Sequence, residues 1–372
     1  MTPWFIPTPI ANQPWRVFLP LFMLVALGFA VLYSAGGGSV SPYADSYLVR
    51  FTVFFVMAVV ISRLPEDLFK FMAYPAYGGT LLLLMLVEAI GGMGGGSQRW
   101  LELGFMRLQP SELMKPVIVL VLAYFYSTLP AAMTASLRGL LPALGLIGLP
   151  VGLVILQPDL GTALAILFGG GVVLFVAGLP LRWFLGAGGL AAVAAPLAYF
   201  FVLHDYQRRR VTTFLDPESD PLGAGYHITQ SKIAIGSGGL TGKGFGNGSQ
   251  SHLEYLPEAH TDFAFATMAE EWGLIGGFFV LLVFAVLLTW GMNVARRAPD
   301  RFGMLLGTGM TATIFFYVAV NLMMVMGLAP VVGIPLPFLS HGGSSMLTVM
   351  ICFGTLLAID RWRKKPGLGQ SR

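Results

Sequence analysis

Long apolar segments recur along the whole chain, separated by short polar breaks, and they constrain its fold more than any other feature. Most have roughly 17 to 25 residues, the length that a helix needs to cross the hydrocarbon core of a bilayer. A membrane-spanning strand needs only ~10 residues of alternating polarity, so these continuous apolar segments predict helices. We predict ten spans, at 17–34, 47–62, 68–90, 113–128, 139–156, 160–179, 183–203, 263–292, 303–328 and 343–359.

The composition excludes a soluble globular protein. Of the 372 residues, 56% are hydrophobic and only 11% are charged, whereas about a quarter of the residues are charged in a typical soluble domain. The one cysteine, Cys352, lies in an apolar segment, so the chain cannot form an intramolecular disulfide or a cysteine metal cluster. We therefore predict a single all-α polytopic membrane domain over residues 1–372, with a long extracytoplasmic loop at about 204–262.

The distribution of basic residues predicts the orientation of the ten spans. With the N-terminus in the cytoplasm, the inner breaks nearly all contain Lys or Arg, whereas the first and last outer loops contain neither. This asymmetry follows the positive-inside rule, so both termini are expected to be cytoplasmic. The outer basic residues are concentrated at 97–115 and 204–262. An anionic substrate on the outer face would account for this exception to the rule.

The loop at 97–115 leads into the fourth span and carries charges of both signs. Pro110 suits the first turn of a helix, and Ser111 lies near the positive end of that helix. Glu112 and Lys115 are spaced for an ion pair on one helical face, so a purely structural pair is one interpretation. The other is that a lipid-linked anion binds here to basic groups, which would be Arg99, Arg107 and Lys115.

The loop at 204–262 contains two further basic features. Arg208, Arg209 and Arg210 follow the seventh span, where they are either an interfacial anchor or part of an anion site. Lys243 lies in a glycine-rich segment, 236–249, whose spacing does not match a nucleotide-binding P-loop. We interpret this segment as a flexible or re-entrant loop that presents Lys243 to an anion. Between the three arginines and the glycine-rich segment, residues 226–235 have the apolar spacing of a short interfacial helix.

Asp262 precedes the eighth span, and two roles are open to it. Together with Thr261 it could cap the helix that follows. Alternatively it is a general base: Glu254, Glu258 and Asp262 are spaced four residues apart, so a helical continuation would crowd their charges and raise at least one pKa. Glu270 and Glu271 lie about two turns into the span, and we expect them to face the protein interior or a hydrated cavity.

Several longer motifs together resemble one family. They are QRWLELGFMRLQPSELMK, QPDLGT, HDYQRRRV, LDPESDPLGAGYHITQSKIAIGSGGLTGKG, LEYLPEAHTDFAFATMAEEWGLIGG and PVVGIPLPFLSHGGSS, and they occur in order over nearly the whole chain. These motifs identify the chain as similar to the SEDS family of shape, elongation, division and sporulation proteins. The similarity is greater to the elongation branch of the family than to its division branch. His341 departs from the pattern, because SYGGS is usual at this place.

The resemblance implies a function in cell wall synthesis. Members of the family are peptidoglycan glycosyltransferases that polymerise lipid II into β-1,4-linked glycan at the outer face of the bacterial cytoplasmic membrane, working with a class B penicillin-binding protein and other elongation proteins. Two other functions remain open, a lipid II flippase and a non-catalytic scaffold for the penicillin-binding protein. No nucleotide and no nucleic acid is expected, and a divalent cation such as Mg²⁺ or Mn²⁺ is an open question.

The resemblance also assigns roles to residues of this chain. The carboxylate that is essential in the family corresponds to Asp262, in the motif His260-Thr261-Asp262. The diphosphates of the substrates would be held by basic residues, for which the candidates are Arg99, Arg107, Lys115, Arg208, Arg210 and Lys243. Supporting roles are expected for Gln109, Ser111, Glu112 and Glu254.

Overall fold

The computed structural model describes residues 14–364 except 91, 95–96, 103–106, 202–204, 217–222, 253–254 and 257–258. In this part of the chain the α-helices are α1 (Trp15–Ala35), α2 (Tyr43–Ile61), α3 (Glu66–Ile90), α4 (Pro110–Thr128), α5 (Leu137–Leu156), α6 (Leu160–Ala177), α7 (Leu181–Phe201), α8 (Asp205–Leu215), α9 (Ala224–Ser237), α10 (Ser249–His252), α11 (Ala264–Arg296), α12 (Arg301–Val325) and α13 (Gly343–Lys364). Each of the ten predicted spans corresponds to one long helix. The helical, polytopic fold is thereby confirmed.

Nine of the long helices in the described ranges are apolar enough to cross a membrane by length and composition alone. The tenth is α4, whose beginning carries Glu112 and Lys115. This helix lies inside the bundle, where it packs against α3, α6, α12 and α13. Charged side chains in a membrane span are tolerated when they face such a protein interior and pair with one another.

A small antiparallel sheet joins α3 to α4. It has three strands in sequential order, β1 (Gly92–Gly94), β2 (Ser97–Glu102) and β3 (Arg107–Leu108). Leu101 pairs with Leu108, and Glu102 pairs with Arg107. The sequence analysis did not predict these strands, because they are short and adjoin a glycine-rich segment without a clear alternation of polarity. They lie in the connection between two spans and leave the helical class of the fold unchanged.

The helices differ greatly in how much of their surface is buried. Helix α12 packs against α4, α6, α11 and α13, so it occupies the centre of the bundle. Helix α7 is peripheral, and its membrane-crossing segment is entirely exposed on the protein surface. A span that is apolar all round and makes few protein contacts is suited to a lipid environment.

Helix α11 is interrupted at Gly273, whose φ of 66° and ψ of −161° are not helical. The interruption frees backbone groups that must find partners, since unpaired ones are costly in a bilayer. The glycine-rich segment 238–244 provides these partners. Lys243 N donates to Glu270 O at 3.0 Å, Gly244 N donates to Glu271 O at 3.0 Å, and Leu274 N donates to Gly239 O at 2.9 Å. The predicted loop is therefore ordered, and it supplies hydrogen-bond partners to the interrupted helix. We call segment 238–244 the brace of α11.

The brace requires glycine at its closest approach to α11. Gly242 has a φ of 81°, and a β carbon at this position would lie only 2.0 Å from the carbonyl oxygen of Glu271. Glycine alone avoids both the steric clash and the cost of the left-handed conformation. The close approach holds the long loop against α11 at Glu271, just before the interruption.

Candidate functional site

Asp262 lies in the turn immediately before α11 and is partly exposed. Its backbone carbonyl accepts a hydrogen bond of 2.9 Å from Asn321 Nδ2, which also donates to Ile334 O at 2.8 Å. A carboxylate oxygen of Asp262 is 3.6 Å from where a β carbon on Gly333 would lie. Asn321 thus fastens the beginning of α11 to the turn at 333–334, and the Asp262 carboxylate is held beside that turn.

The structure shows neither the helical alignment nor the capping position that the sequence suggested for Asp262. The segments 255–256 and 259–263 are not helical, so the helical alignment of Glu254, Glu258 and Asp262 is wrong. Glu254 and Glu258 themselves lie outside the described residues. The N-cap of α11 is Phe263, which makes no side-chain capping bond, so Asp262 does not occupy the capping position either.

A cluster of ring systems lies next to Asp262. His260 stacks on Tyr43 with ring centroids 4.2 Å apart, and its carbonyl accepts a 2.8 Å hydrogen bond from the backbone N–H of His341. His341 Nε2 in turn lies 2.8 Å from Ser46 Oγ and 3.3 Å from Arg50 Nη1. These contacts join the beginning of α2, the turn before α11 and the segment before α13.

The environment of His341 favours its neutral form. Burial is the largest cause, and the nearby charges of Arg50 and His260 add to it, so that the pKa falls from 6.5 to about 4. Asp45 acts in the opposite direction but does not outweigh these effects. A neutral ring is consistent with the geometry, because Nε2 can then accept a hydrogen bond from the Arg50 guanidinium.

Helix α9 covers another side of the same region. His227 stacks on Phe263, the neighbour of Asp262, with ring centroids 5.9 Å apart. Ser231 Oγ donates a 2.8 Å hydrogen bond to Val325 O at the end of α12. The short helix predicted over 226–235 therefore exists, and it packs against α11 and α12.

A buried polar network lies deeper in the bundle, between α4, α12 and α13. Lys115 Nζ is 2.6 Å from Glu112 Oε1 and donates to Tyr317 Oη at 2.8 Å. The Tyr317 hydroxyl donates to Glu112 Oε2, and Thr348 Oγ1 donates to the same oxygen at 3.0 Å. Lys115 is only 1% exposed and its ammonium is engaged by Glu112 and Tyr317, which is the geometry of a structural ion pair. The binding of substrate phosphates by Lys115 stays a prediction.

Lys243 also has a protein partner. Its Nζ lies 2.6 Å from Glu270 Oε1 and 2.7 Å from Ser249 Oγ. Glu270 is fully buried, so Lys243 supplies the cation that this carboxylate needs. Lys243 is therefore paired with a glutamate in this structure, and its contact with an anion stays a prediction. The neighbouring Glu271 accepts a hydrogen bond from Ser34 Oγ on α1, and both glutamates face the protein interior as predicted.

The remaining predicted residues fall into two groups. Three make structural contacts or are buried: Arg208 Nη2 donates to Phe200 O at 2.9 Å, Gln109 Nε2 donates to Asp159 Oδ2 at 3.1 Å, and Ser111 is 2% exposed. For the others the structure gives the backbone alone, in β2 for Arg99, β3 for Arg107 and α8 for Arg210. The positions of these three side chains, like that of Glu254, stay outside the described part of the chain.

Sequence reasoning missed Asn321, Tyr317 and Thr348, which organise the site. The signal for Asn321 was present, because an amide within the apolar run VAVNLMMV is costly unless it has partners. Among the residues that the structure describes, no three His, Cys, Asp or Glu side chains come together in a group that could hold a metal ion.

The fold and the site together define a multi-pass membrane protein with a polar, partly open site at one end of a ten-helix bundle. The chain belongs to the FtsW/RodA/SpoVE family of cell cycle proteins, whose sequence profile matches residues 14–365. This match confirms the family that the motifs indicated.

The relatives narrow the class further. The chain is 43% identical over 348 residues to peptidoglycan glycosyltransferase MrdB of Escherichia coli K12, covering 94% of this chain and 93% of the relative. It is 36% identical over 368 residues to a probable peptidoglycan glycosyltransferase FtsW of Trichlorobacter lovleyi, covering 94% and 96%.

Solved structures agree with this assignment of the chain to the family. The fold matches Thermus thermophilus rod shape determining protein RodA with a TM-score of 0.72 and 32% identity, covering 95% of this chain and 99% of that one. The fold also matches one chain of a solved structure described as the structural coordination of polymerization and crosslinking by a peptidoglycan synthase complex. That match has a TM-score of 0.82 and 33% identity, and it covers 95% of this chain and 99% of that one.

Proposed function

We propose that this protein is a peptidoglycan glycosyltransferase of cell elongation that polymerises lipid II into β-1,4-linked glycan strands. The observation that carries the proposal is the position of Asp262, a partly exposed residue whose backbone carbonyl is bonded to Asn321 in the turn before α11. It is the residue that matches the essential carboxylate of the family. Relatives of the chain that are named peptidoglycan glycosyltransferases support the same reaction class.

Asp262 acts as the general base in the proposed reaction. The acceptor is the 4-hydroxyl of the N-acetylglucosamine of incoming lipid II, which is a poor nucleophile until its proton is removed. Asp262 accepts that proton as the oxygen attacks the anomeric carbon of the lipid-linked growing chain. The bond to the polyprenyl diphosphate breaks, and the α-linked donor becomes a β linkage. The activated donor supplies the driving force, so the reaction needs no nucleotide.

The leaving diphosphate requires nearby cations. Lys115 and Lys243 are already paired with glutamates. We therefore assign the binding of the leaving diphosphate to arginines of the outer loops, which are Arg99, Arg107, Arg208 and Arg210. Lys232 is a further candidate, since it is exposed on α9, the helix that packs beside Asp262.

The proposed setting is the bacterial inner membrane, with both termini in the cytoplasm and Asp262 at the outer face. The basic residues of the inner breaks support this orientation. We further propose a class B penicillin-binding protein as the partner, working with other membrane proteins of the elongation complex. The structural similarity to a chain of a peptidoglycan synthase complex supports such a partnership.

A single assay separates a glycosyltransferase from the two other functions that the sequence left open. The purified chain is reconstituted in proteoliposomes with lipid II, with and without the penicillin-binding partner, and glycan strands are resolved by length. A glycosyltransferase polymerises in detergent as well, where there is no membrane to cross. A flippase forms no glycan, and a scaffold forms glycan only when its partner has its own polymerising domain. Repeating the assay with a chelator tests the need for a divalent cation.

A further inference from the structure

The end of the bundle opposite to Asp262 contains a cavity of about 460 Å³ that the proposed reaction does not use. It lies where α1 begins and where α11 and α13 end, so the whole length of α11 separates it from the catalytic carboxylate. The charged side chains that line it are Arg16, Arg297, Arg363 and Asp360.

The positive charge of this cavity is only partly compensated. Arg363 Nη2 lies 2.9 Å from Asp360 Oδ1, which neutralises one arginine. Arg16 and Arg297 are exposed, and neither side chain forms an ion pair within the described part of the chain. An anion from outside the chain would complement the two arginines.

The apolar surroundings indicate that such an anion carries hydrocarbon chains. Trp15 and Trp290 line the cavity, and tryptophan is enriched where a protein crosses the boundary between headgroups and acyl chains. Leu19 and Phe22 follow Trp15 by four and seven residues, which places all three on one face of α1. Leu19 is 57% exposed and Phe22 is 38% exposed. A continuous apolar surface therefore runs from the basic cavity along the membrane-facing side of α1.

We propose that this cavity binds the headgroup of an anionic phospholipid. The phosphodiester lies between Arg16 and Arg297, and the acyl chains follow the face of α1 that contains Leu19 and Phe22. Basic cavities between the ends of transmembrane helices recognise such headgroups by charge and by the reach of arginine to two phosphate oxygens. This lipid site is separate from the substrate site, and its existence does not depend on the proposed catalytic function.

The test is a lipid titration of the full chain in detergent, read by native mass spectrometry. Dioleoyl phosphatidylglycerol is the anionic probe, and dioleoyl phosphatidylcholine is the zwitterionic probe of the same chain length. We expect the first lipid adduct to form at a roughly tenfold lower concentration of phosphatidylglycerol, because each arginine adds to the attraction for an anionic headgroup. The R16Q/R297Q variant should lose this preference, and R16K/R297K should retain most of it.

The matched control removes two arginines from the same membrane face outside the cavity. Arg138 and Arg182 are exposed near the beginnings of α5 and α7, which start at the same face as α1 because each intervening long helix crosses once. The R138Q/R182Q variant should keep the preference for phosphatidylglycerol. Melting temperatures of all variants establish that they are folded.

Three outcomes would overturn the proposal. The first is equal binding of the two lipids to the unaltered chain. The second is a loss of preference in R138Q/R182Q as large as in R16Q/R297Q, which would indicate net charge rather than a site. The third is complete displacement of phosphatidylglycerol by an excess of inorganic phosphate, which would identify a site for a free anion. A preference that persists in excess phosphate and disappears only in R16Q/R297Q supports the lipid site.

Discussion

Tyr317 and Asn321 lie one helical turn apart on α12, and they join the buried ion pair to the candidate catalytic turn. Tyr317 Oη contacts both Glu112 and Lys115, and Asn321 Nδ2 donates to the backbone carbonyl of Asp262. The central helix of the bundle therefore fixes the interior network and the turn before α11 with neighbouring side chains. Rigid support of this kind is what a general base needs to keep its distance from the acceptor hydroxyl.

Replacing Asn321 with leucine should impair catalysis more than folding. The substitution keeps a similar volume but removes both hydrogen bonds that tie Asp262 and Ile334 together, so we expect kcat to fall about 10- to 100-fold. KM for lipid II should change little. The measurement is a steady-state polymerisation assay combined with a melting curve.

Thr313→Val is the matched control for Asn321. Thr313 is also buried on α12, but its hydroxyl bonds only to Gly309 O of the same helix, at 2.9 Å. Its loss should leave kcat within about twofold, because a hydrogen bond within one helix does not position another element. Equal losses of activity in both variants would contradict a positioning role for Asn321.

Breaking the Glu112–Lys115 pair should destabilise the protein. Lys115→Met leaves a buried carboxylate without its cation, which costs about 3–5 kcal/mol in comparable buried pairs. The double variant E112Q/K115M should be less destabilised than the sum of the single variants. Thermal unfolding in detergent measures both effects.

Lys70→Met provides the comparison for that experiment. Lys70 pairs with Glu66 and Asp300 at a partly exposed surface, where the three side chains are 32%, 25% and 36% exposed. Its loss should cost no more than about 1 kcal/mol. If Lys115→Met instead raised KM for lipid II and left stability unchanged, Lys115 would be a substrate ligand and the structural interpretation would fail.

The positions of the spans were predictable, but the pairing of the charged groups was only partly so. Continuous apolar segments fix where the chain crosses the membrane, whatever the tertiary structure. The pair formed by Glu112 and Lys115 was recognisable because it is local to one helix. The pair formed by Lys243 and Glu270 was not, because it depends on how a loop folds back against the break in α11. The sequence pattern therefore located Lys243 in the right loop but did not reveal its pairing with Glu270.

Two glycine substitutions should separate close packing from backbone strain in and next to the brace of α11. Gly242 and Gly246 both have positive φ, at 81° and 73°, but a β carbon would clash with Glu271 O only at Gly242. We expect Gly246→Ala to cost about 1–2 kcal/mol, the cost of the left-handed conformation alone. Gly242→Ala should lower the melting temperature considerably more. Equal melting temperatures for the two variants would show that the loop does not brace the helix.

His341 should make the protein less stable in mild acid. Its pKa in the folded state is about 4, below its ordinary value of 6.5, so between these two values the unfolded chain binds a proton that the folded chain does not. Stability is therefore lost as the pH falls from about 6.5 to about 4. In His341→Gln this part of the pH dependence should disappear. Superimposable curves of melting temperature against pH for the two proteins would refute the assignment.

Lipid II polymerisation by purified Asp262→Asn tests whether Asp262 is the catalytic base. Asparagine keeps the size and polarity of the side chain, and Asn321 still bonds to the backbone carbonyl, so the variant should melt like the unaltered protein. We predict that its kcat falls at least about 100-fold, in the range by which general bases accelerate reactions. A folded Asp262→Asn protein that polymerises lipid II at the unaltered rate would contradict the account.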